Sequence, residues 1–291
     1  MRLQNLVVFF LILVTACQKK IAAPQDVEGF ENSPLSKSVS PGLLDEASGI
    51  ADSKKNPGYL WVQQDSGNPN DIALLSHDGN FLKTIKVNLA PNRDWEDMAV
   101  ANGPLNGTSY IYLADIGDNS LVSPDYFIYR FAEPAASANV VGAIERIRFQ
   151  YPDGPHDAET VLVDNSTKDI YIITKQDIPS QVYKLSYPQS TGAINTATLS
   201  GSLPFSGATS AAVSSDGKEI LVKTYTAIWE WNKNDGQTIE QALAGTPVPL
   251  SYQLEPQGEA VCFKNDNTGF FTLSERPAII AAVNLNFYKR K

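Results

Sequence analysis

The stretch "NRDWEDMAV", residues 92–100, places three acidic residues and a tryptophan at the start of a short apolar run. One acid at such a place is typical of a solvated turn. Three acids before a segment that reads as a buried strand indicate a site, provided that the same arrangement occurs elsewhere in the chain.

The arrangement recurs at a nearly constant spacing. The run that begins at Glu96 aligns with runs that begin at Glu46, Glu159, Thr209 and Glu259, in steps of 50, 63, 50 and 50 residues. Turn signals and further short strand-like segments follow each run, and a unit of about 50 residues with four strands is typical of a β-propeller blade. The sequence therefore predicts an all-β protein, a β-propeller with five blades. A six-bladed ring, with the long second unit divided, is the alternative.

The last unit leaves room for only three strands before Lys291. A strand over residues 35–40 can supply the fourth and close the ring, which hides the sheet edges that a linear array would expose. We therefore expect a single propeller domain over residues 34–291.

An export signal precedes this domain. Arg2 is followed by the apolar run "LVVFFLILV" and then by small residues, so residues 1–16 are typical of a secretory signal that is too short to span a bilayer. The ending "VTAC" resembles the lipobox of bacterial lipoproteins, which implies cleavage before Cys17 and acylation of that residue, including by palmitate. Residues 17–33 are expected to form a lipidated, flexible tether. An ordinary signal peptide with an incidental cysteine is the alternative.

Charge and composition limit the partners. The net charge of −9 argues against nucleic acid and against direct adhesion to anionic lipid. We therefore expect membrane attachment through the lipid alone, with the domain facing the periplasm, and Gln18 favours the outer membrane. Cys262 lies in the apolar run "AVCF" and is expected to be a buried hydrophobe without a disulfide partner. His77 and His156 are too far apart in the sequence to indicate a zinc site.

Glutamates that open the inner strands should meet at one mouth of the central channel, beside the residues that end the second strands. Carboxylates at such short range raise one another's pKa or bind a cation. Oxygen ligands without histidine or cysteine nearby are typical of a hard cation, Ca²⁺ before Mg²⁺. The predicted metal ligands are Glu46, Glu96, Glu159, Glu259, Asp65, Asp115 and Glu275.

Basic and hydroxyl side chains are concentrated in the third and fourth blades. This uneven distribution favours an anionic ligand group that is held against the cation. The predicted ligand-binding residues are Lys175, Lys223, Thr209, Ser210 and Trp95, the last either as a stacking platform or as a packing residue. The alternative for the glutamates is a structural role, in which each one accepts hydrogen bonds from backbone N–H groups of the neighbouring blade.

The segments "DWEDMA", "DIGDN", "DAET", "ITK", "KTY" and "QGEA" together resemble a family of bacterial exported lipoprotein β-propellers. They are more distantly similar to phytase-like and SdiA-regulated propellers. The likeness to β-propeller phytases implies calcium bound by acidic residues at the channel mouth, with basic residues that hold phosphate. The positions of this chain that match are Glu96, Glu159, Glu259, Asp115 and Glu275.

Two classes of function are compatible with these features. One is an envelope binding module whose channel mouth holds a cation together with a small anionic or sugar ligand, or with an envelope protein. The other is a metal-dependent hydrolase of phosphate or carboxylate esters, in which the metal activates water. No residue stands out as a nucleophile or as a tuned base, so the sequence favours binding and leaves catalytic residues unassigned.

Overall fold

The computed structural model describes residues 29–291. The predicted signal peptide, Cys17 and residues 18–28 of the predicted tether lie outside this range. The described strands form five sheets, and the first strands of neighbouring sheets contact one another around a closed circle. The protein is therefore an all-β, five-bladed β-propeller, as the repeat predicts, and the six-bladed alternative is wrong.

Strand β1 (Leu35–Val39) is first in the chain but belongs to the last blade. Blade one contains β2 (Ala47–Asp52), β3 (Tyr59–Gln64), β4 (Asp71–Ser76) and β5 (Phe81–Lys86). Blade two contains β6 (Trp95–Asn102), β7 (Ser109–Asp115), β8 (Tyr126–Ala132) and β9 (Glu145–Gln150). Blade three contains β10 (Ala158–Val163), β11 (Ile170–Thr174), β12 (Gln181–Leu185) and, after a short strand β13 (Asn195–Thr196) that pairs with β9, the outer strand β14 (Thr198–Ser202).

Blade four contains β15 (Ala208–Val213), β16 (Glu219–Thr224), β17 (Ile228–Asn232) and β18 (Val248–Pro249). A short helix, α1 (Ile239–Leu243), lies between β17 and β18 and begins with a capping box formed by Thr238 and Gln241. Blade five contains β19 (Gln257–Phe263), β20 (Gly269–Glu275) and β21 (Val283–Lys289), with β1 as its outer strand.

The ring is closed by the first strand, as predicted. Strand β1 pairs antiparallel with β21, from Leu35 opposite Phe287 to Val39 opposite Val283. The last blade thereby gains a fourth strand, and its edge does not stay open.

The folded domain begins earlier than the predicted boundary at residue 34. Phe30 is buried, pairs with Arg290, and packs edge-on against Phe270 with 4.9 Å between the ring centroids. Residues 29–33 were predicted to belong to the tether because a single aromatic residue in a polar segment produces no periodicity. In the structure that one side chain fixes the segment to blade five.

The hydrophobic core lies between the blades. Trp61 and Trp95, for example, are fully buried in one cluster between blades one and two, together with Tyr129. The Trp95 indole donates its N–H to the Pro91 carbonyl oxygen at 3.1 Å. Trp95 is therefore a packing residue, and the prediction that it stacks on a ligand is wrong because its side chain has no exposed surface.

Candidate metal centre

Each inner strand carries a β-bulge close to its start. In blade one, Ala47 lies opposite Gln64 and Gly49 lies opposite Gln63, so Ser48 is an extra residue without a partner. The same irregularity occurs in the other four blades. A bulge redirects the side chain of the extra residue and strengthens the local twist. The bulged residues are Ser48, Glu96, Glu159, Thr209 and Glu259.

The structure corrects the predicted role of Glu46. The residue equivalent to Glu96 in blade one is Ser48, two positions further along the chain. Glu46 is instead equivalent to Asp94. The backbone oxygen of Glu46 accepts the N–H of Asp65 at 2.9 Å, and the backbone oxygen of Asp94 accepts the N–H of Ile116 at 3.2 Å, each at the end of a second strand. Glu46 is exposed and accepts a hydrogen bond from the Asn68 side chain. It therefore lies outside the ring of bulged residues.

The ends of the second strands agree with the prediction in blades one, three and five and differ from it in blades two and four. The residue opposite the start of the bulge is followed in blades one, three, four and five by Asp65, Lys175, Tyr225 and Glu275. In blade four this position is occupied by Tyr225, a residue that the sequence does not indicate as part of the mouth. Its hydroxyl donates to Glu259 at 2.7 Å and accepts from the Lys175 Nζ at 3.0 Å.

Asp115 and Lys223 do not lie at this position, where the sequence predicts them. Asp115 lies one residue before it in blade two, and Lys223 lies two residues before it in blade four. A slip of one residue along a strand turns a side chain to the other face of the sheet. Asp115 is buried and accepts the backbone N–H of Asp94 at 3.0 Å, with the Arg93 guanidinium at 3.3 Å. It supports the loop behind the mouth.

Lys223 has no exposed surface. Its Nζ donates to the Gly258 carbonyl oxygen at 2.6 Å and to the Tyr252 hydroxyl at 2.7 Å, with Glu255 at 3.5 Å. The prediction that Lys223 binds a ligand is therefore wrong, because the lysine is enclosed and its hydrogen bonds are made inside the protein.

The hydroxyl side chains of the inner strands connect neighbouring blades. Thr209 donates to the backbone oxygen of Glu259 at 3.1 Å, and Ser48 donates in the same way to the backbone oxygen of Glu96. Ser210 donates to the Asp97 carboxylate at 3.1 Å. Thr209 and Ser210 are fully buried, so their predicted role in ligand binding is wrong. These hydroxyl groups therefore join neighbouring blades.

Asp97 is the centre of this set of contacts. Its carboxylate is fully buried and accepts the backbone N–H groups of Met98 at 2.9 Å and of Val161 at 3.0 Å, in addition to the Ser210 hydroxyl. Burial raises its pKa well above the ordinary value, although these donors act in the opposite direction. Asp97 thus connects blades two, three and four within the channel.

Three carboxylates form the candidate metal centre. Oxygen atoms of Asp65, Asp94 and Glu96 all lie within 4.8 Å of one another. Asp65 and Asp94 are half-buried, whereas Glu96 is only 4% exposed. A β-carbon at Gly117 would overlap the carboxylates of both Asp94 and Glu96, so the absence of a side chain at Gly117 leaves the space that they occupy.

The Glu96 carboxylate has no hydrogen-bond donor among residues 29–291. Burial raises its pKa well above the ordinary value, and the neighbouring charge of Glu159 adds to the effect. Burial also raises the pKa of Asp65 to about 6, with a further contribution from Asp94. In both groups the loss of solvation on burial is the main cause of the shift, and the Ser66 backbone N–H, which donates to Asp65, only partly offsets it there.

The opposite side of the mouth is partly neutralised. The Lys175 ammonium forms an ion pair with Glu159 and reaches the Tyr225 hydroxyl. The pKa of Glu159 is nevertheless raised to about 8, because burial outweighs the lysine, and burial together with Glu259 raises that of Glu275 to about 9. The mouth therefore carries its uncompensated charge mainly on blades one, two and five.

Comparison with known proteins assigns this chain neither a family nor an activity. No family model matches the chain, and no curated protein matches it. Among solved structures, it is similar to Kuenenia stuttgartiensis hydrazine synthase, with 12% identity over 80% of this chain and 84% of that chain and a TM-score of 0.39. It is also similar to the Dos1 propeller, with 12% identity over 84% of this chain and 68% of that chain and a TM-score of 0.37. Likeness of this degree transfers no residue role, and the five-bladed fold follows from the sheet topology of this chain itself.

Proposed function

We propose that this propeller is a binding protein whose acidic mouth holds a calcium ion. The observation that carries the proposal is the Glu96 carboxylate, which is buried, lacks a hydrogen-bond donor within residues 29–291, and lies in one cluster with Asp65 and Asp94. A buried carboxylate without a partner is costly unless it is protonated or bound to a cation. A hard divalent cation supplies the partner that the protein does not.

The spacing of the three carboxylates suits calcium. Calcium binds oxygen at about 2.3–2.6 Å, so two oxygens on opposite sides of one ion are separated by roughly 5 Å. The three oxygens all lie within 4.8 Å of one another, which is compatible with one shared calcium ion. Magnesium needs a shorter and nearly ideal octahedral arrangement, for which three side chains from two blades are less suited.

The ligand of such a centre would approach from the solvent side. Asp65 and Asp94 are half-buried, and the side of the cluster that they expose is open to a carboxylate or to the hydroxyls of a sugar. Lys175 is the predicted ligand-binding residue that lies at this mouth, but its ammonium is paired with Glu159, so an anionic group would be held by the cation itself. An envelope protein that presents an acidic side chain is the corresponding macromolecular partner.

Ester hydrolysis is the less supported function. A phosphate group would need basic residues at the mouth, but Lys223 is enclosed and Lys175 is already paired with Glu159. We therefore propose binding and assign no catalytic residue.

The proposed location is the bacterial cell envelope, with the domain held by a lipid on Cys17 and facing the periplasm. Within residues 29–291, no helix has the length and hydropathy needed to cross a bilayer. The proposal is tested by detergent phase separation of the full-length protein made in a bacterial host. The wild type should be cleaved and enter the detergent phase, whereas Cys17→Ser should stay unprocessed or become soluble; wild-type protein that stays in the aqueous phase would remove the lipid anchor.

Calorimetric titration with Ca²⁺ tests the metal centre. Asp94→Asn keeps the shape of the side chain but removes one ligand charge, and we expect it to weaken binding by about tenfold or more. Glu46→Gln is the matched control, because Glu46 lies outside the cluster, and it should bind calcium within about threefold of the wild type. Wild-type protein that takes up no calcium, or equal losses in the two variants, would overturn the proposal.

A further inference from the structure

The face of the ring that carries the acidic mouth also carries exposed aliphatic side chains. On this face lie the loops that join the second strand of a blade to the third, and those that join the fourth strand to the next blade. The most exposed large aliphatic side chains within residues 29–291 are those of Ile279, Ile178 and Val122, at 93%, 91% and 76%, and all three lie on these loops. Leu89 and Leu43 are exposed on the same set of loops. We call these five residues the apolar rim.

The loops that carry the apolar rim contact one another. Side chains of five residues connect each loop to the next, as Arg276 to Asp45, Asn68 to Glu46, Asn92 to Asp65, Arg93 to Ser123 and Gln176 to Asn119. The loops therefore form one continuous arc beside the carboxylates of the mouth. Grouped apolar side chains that are exposed on one face, with polar residues between them, are typical of an interaction surface.

The same arc is acidic. Within residues 29–291, every lysine or arginine on the loops of this face is already paired with a carboxylate, as Arg93 with Asp115, Lys175 with Glu159 and Arg276 with Asp45. Glu46 and Asp177 lie close in sequence to Leu43 and Ile178, and neither is paired with a lysine or an arginine within those residues; they contact the Asn68 amide and the His156 ring instead. The face therefore presents negative charge that a partner can compensate.

The described chain begins at the opposite face. Strand β20 ends at the mouth with Glu275, so β21 leads away from it and ends with Lys289 at the other face. There the Glu31 N–H donates to the Lys289 backbone oxygen at 2.8 Å. A lipid on Cys17 would hold the domain from that side and leave the acidic face turned away from the anchoring membrane.

We propose that the apolar rim and the carboxylates beside it form the docking surface for a protein partner whose own contact surface is amphipathic and basic. Aliphatic side chains of the partner would pack on the rim, and its lysines or arginines would pair with carboxylates outside the calcium cluster, such as Glu46 and Asp177. An anionic bilayer is a poorer occupant because this face would repel it. The docking surface is compatible with the calcium centre and does not require the ion.

Fluorescence anisotropy with a synthetic amphipathic peptide of leucine and lysine tests the proposal. All proteins carry Cys17→Ser and are taken from the soluble fraction, so that no lipid contributes. The buffer contains a chelator, so that the result is independent of the calcium titration. The peptide should bind, whereas a leucine–glutamate peptide and a serine–lysine peptide of the same pattern should bind about tenfold more weakly or less, because one lacks the basic charge and the other lacks the apolar face.

Substitutions on the two faces locate the contact. Ile178→Ser should weaken binding of the leucine–lysine peptide by about fivefold or more, and its combination with Ile279→Ser by more still, since exposed aliphatic side chains lose their contact with the peptide. Leu105→Ser, at an exposed leucine in the turn between β6 and β7 on the opposite face, is the matched control and should bind within about twofold of the parent protein. Equal melting temperatures show that the variants are folded.

The proposal is overturned if the leucine–lysine peptide does not bind, if the leucine–glutamate peptide binds as tightly, or if Ile178→Ser and Leu105→Ser lose equal affinity. Sedimentation with vesicles of phosphatidylethanolamine and phosphatidylglycerol examines the other occupant. The Cys17→Ser protein should stay in the supernatant; sedimentation that the two isoleucine substitutions abolish would assign the apolar rim to a bilayer and overturn the protein partner.

Discussion

The two ends of the channel are built from the same five strands, yet they differ in chemistry. Where the inner strands begin, bulges turn Glu96, Glu159 and Glu259 towards the mouth. Where the strands end, side chains such as Val100 and Val213 line the opening. A bulge interrupts the regular alternation of side chains along a strand and so redirects the bulged residue. The charge of the molecule is therefore concentrated by a backbone feature as well as by composition.

The buried polar side chains at the acidic end fall into two groups, those with hydrogen-bond donors or acceptors within residues 29–291 and those without. Asp97 and Thr209 are buried with their hydrogen bonds made, and they connect blades. Glu96 is buried nearby without a donor. A polar side chain that holds the ring together has partners in the protein, whereas one that holds a ligand leaves a partner to be supplied.

The largest expected effect comes from opening the ring on which both ends depend. Removal of residues 1–40 deletes β1 and the buried Phe30, and we expect it to lower the free energy of unfolding by more than about 4 kcal/mol, measured by urea denaturation. Removal of residues 1–28 is the control and should leave the midpoint unchanged. Equal midpoints for the two truncations would show that β1 does not close the ring.

Asp97→Ala should separate ring contacts from metal contacts. It leaves the backbone N–H groups of Met98 and Val161 unsatisfied, and we expect a loss of about 2–4 kcal/mol in the free energy of unfolding. The rise in melting temperature produced by calcium should stay the same. Asp97→Asn keeps an acceptor and should lose less stability; a variant at Asp97 that abolished the calcium response would place this residue among the ligands.

Gly117→Ala should damage the acidic end without any change of charge. A β-carbon there overlaps the carboxylates of Asp94 and Glu96, so we expect a loss of about 1–3 kcal/mol in stability and calcium binding weakened by about tenfold or more. Gly142→Ala is the matched control, since a β-carbon at Gly142 meets nothing within 4 Å. Calorimetry that gave the two variants equal affinity for calcium would contradict the assigned position of the centre.

The stability of the calcium-free protein should fall as the pH rises. Asp65 and Glu275 have pKa values raised to about 6 and about 9, above the ordinary values of 3.8 and 4.5, so the folded state binds more protons than the unfolded state between those limits. We expect the melting temperature in a chelating buffer to be lower at pH 8 than at pH 5 by at least about 2 °C. Calcium should reduce this difference because it stabilises the ionised carboxylates. A calcium-free protein that became more stable between pH 5 and pH 8 would contradict the raised pKa values of Asp65 and Glu275.

The sequence predicts the blades better than it predicts the mouth. Five blades and the closure by β1 follow from a repeat of about 50 residues with turn signals, because both depend on composition averaged over a whole unit. Glu96, Glu159 and Glu259 were found in this way as well. The ring closure needed only one additional strand near residue 35.

Individual ligands could not be predicted to the same degree. Glu46 was aligned with Glu96, but a loop that is two residues shorter places Ser48 at the bulge instead. Lys223 was assigned to the mouth because the end of its strand could not be fixed to within two residues from the sequence. Asp94 was missed, although it lies in the opening stretch, since its position depends on the loop before the bulge and not on the strand itself.

The melting temperature of Glu96→Gln at pH 8 in calcium-free buffer tests the central claim most directly. Glu96 is buried without a donor, so its carboxylate opposes folding at a pH at which it is ionised in the unfolded chain. We predict that Glu96→Gln melts at least about 2 °C above the wild type without calcium and gains less from added calcium. A variant that melts below the wild type both with and without calcium would show that Glu96 is a structural residue and not a metal ligand.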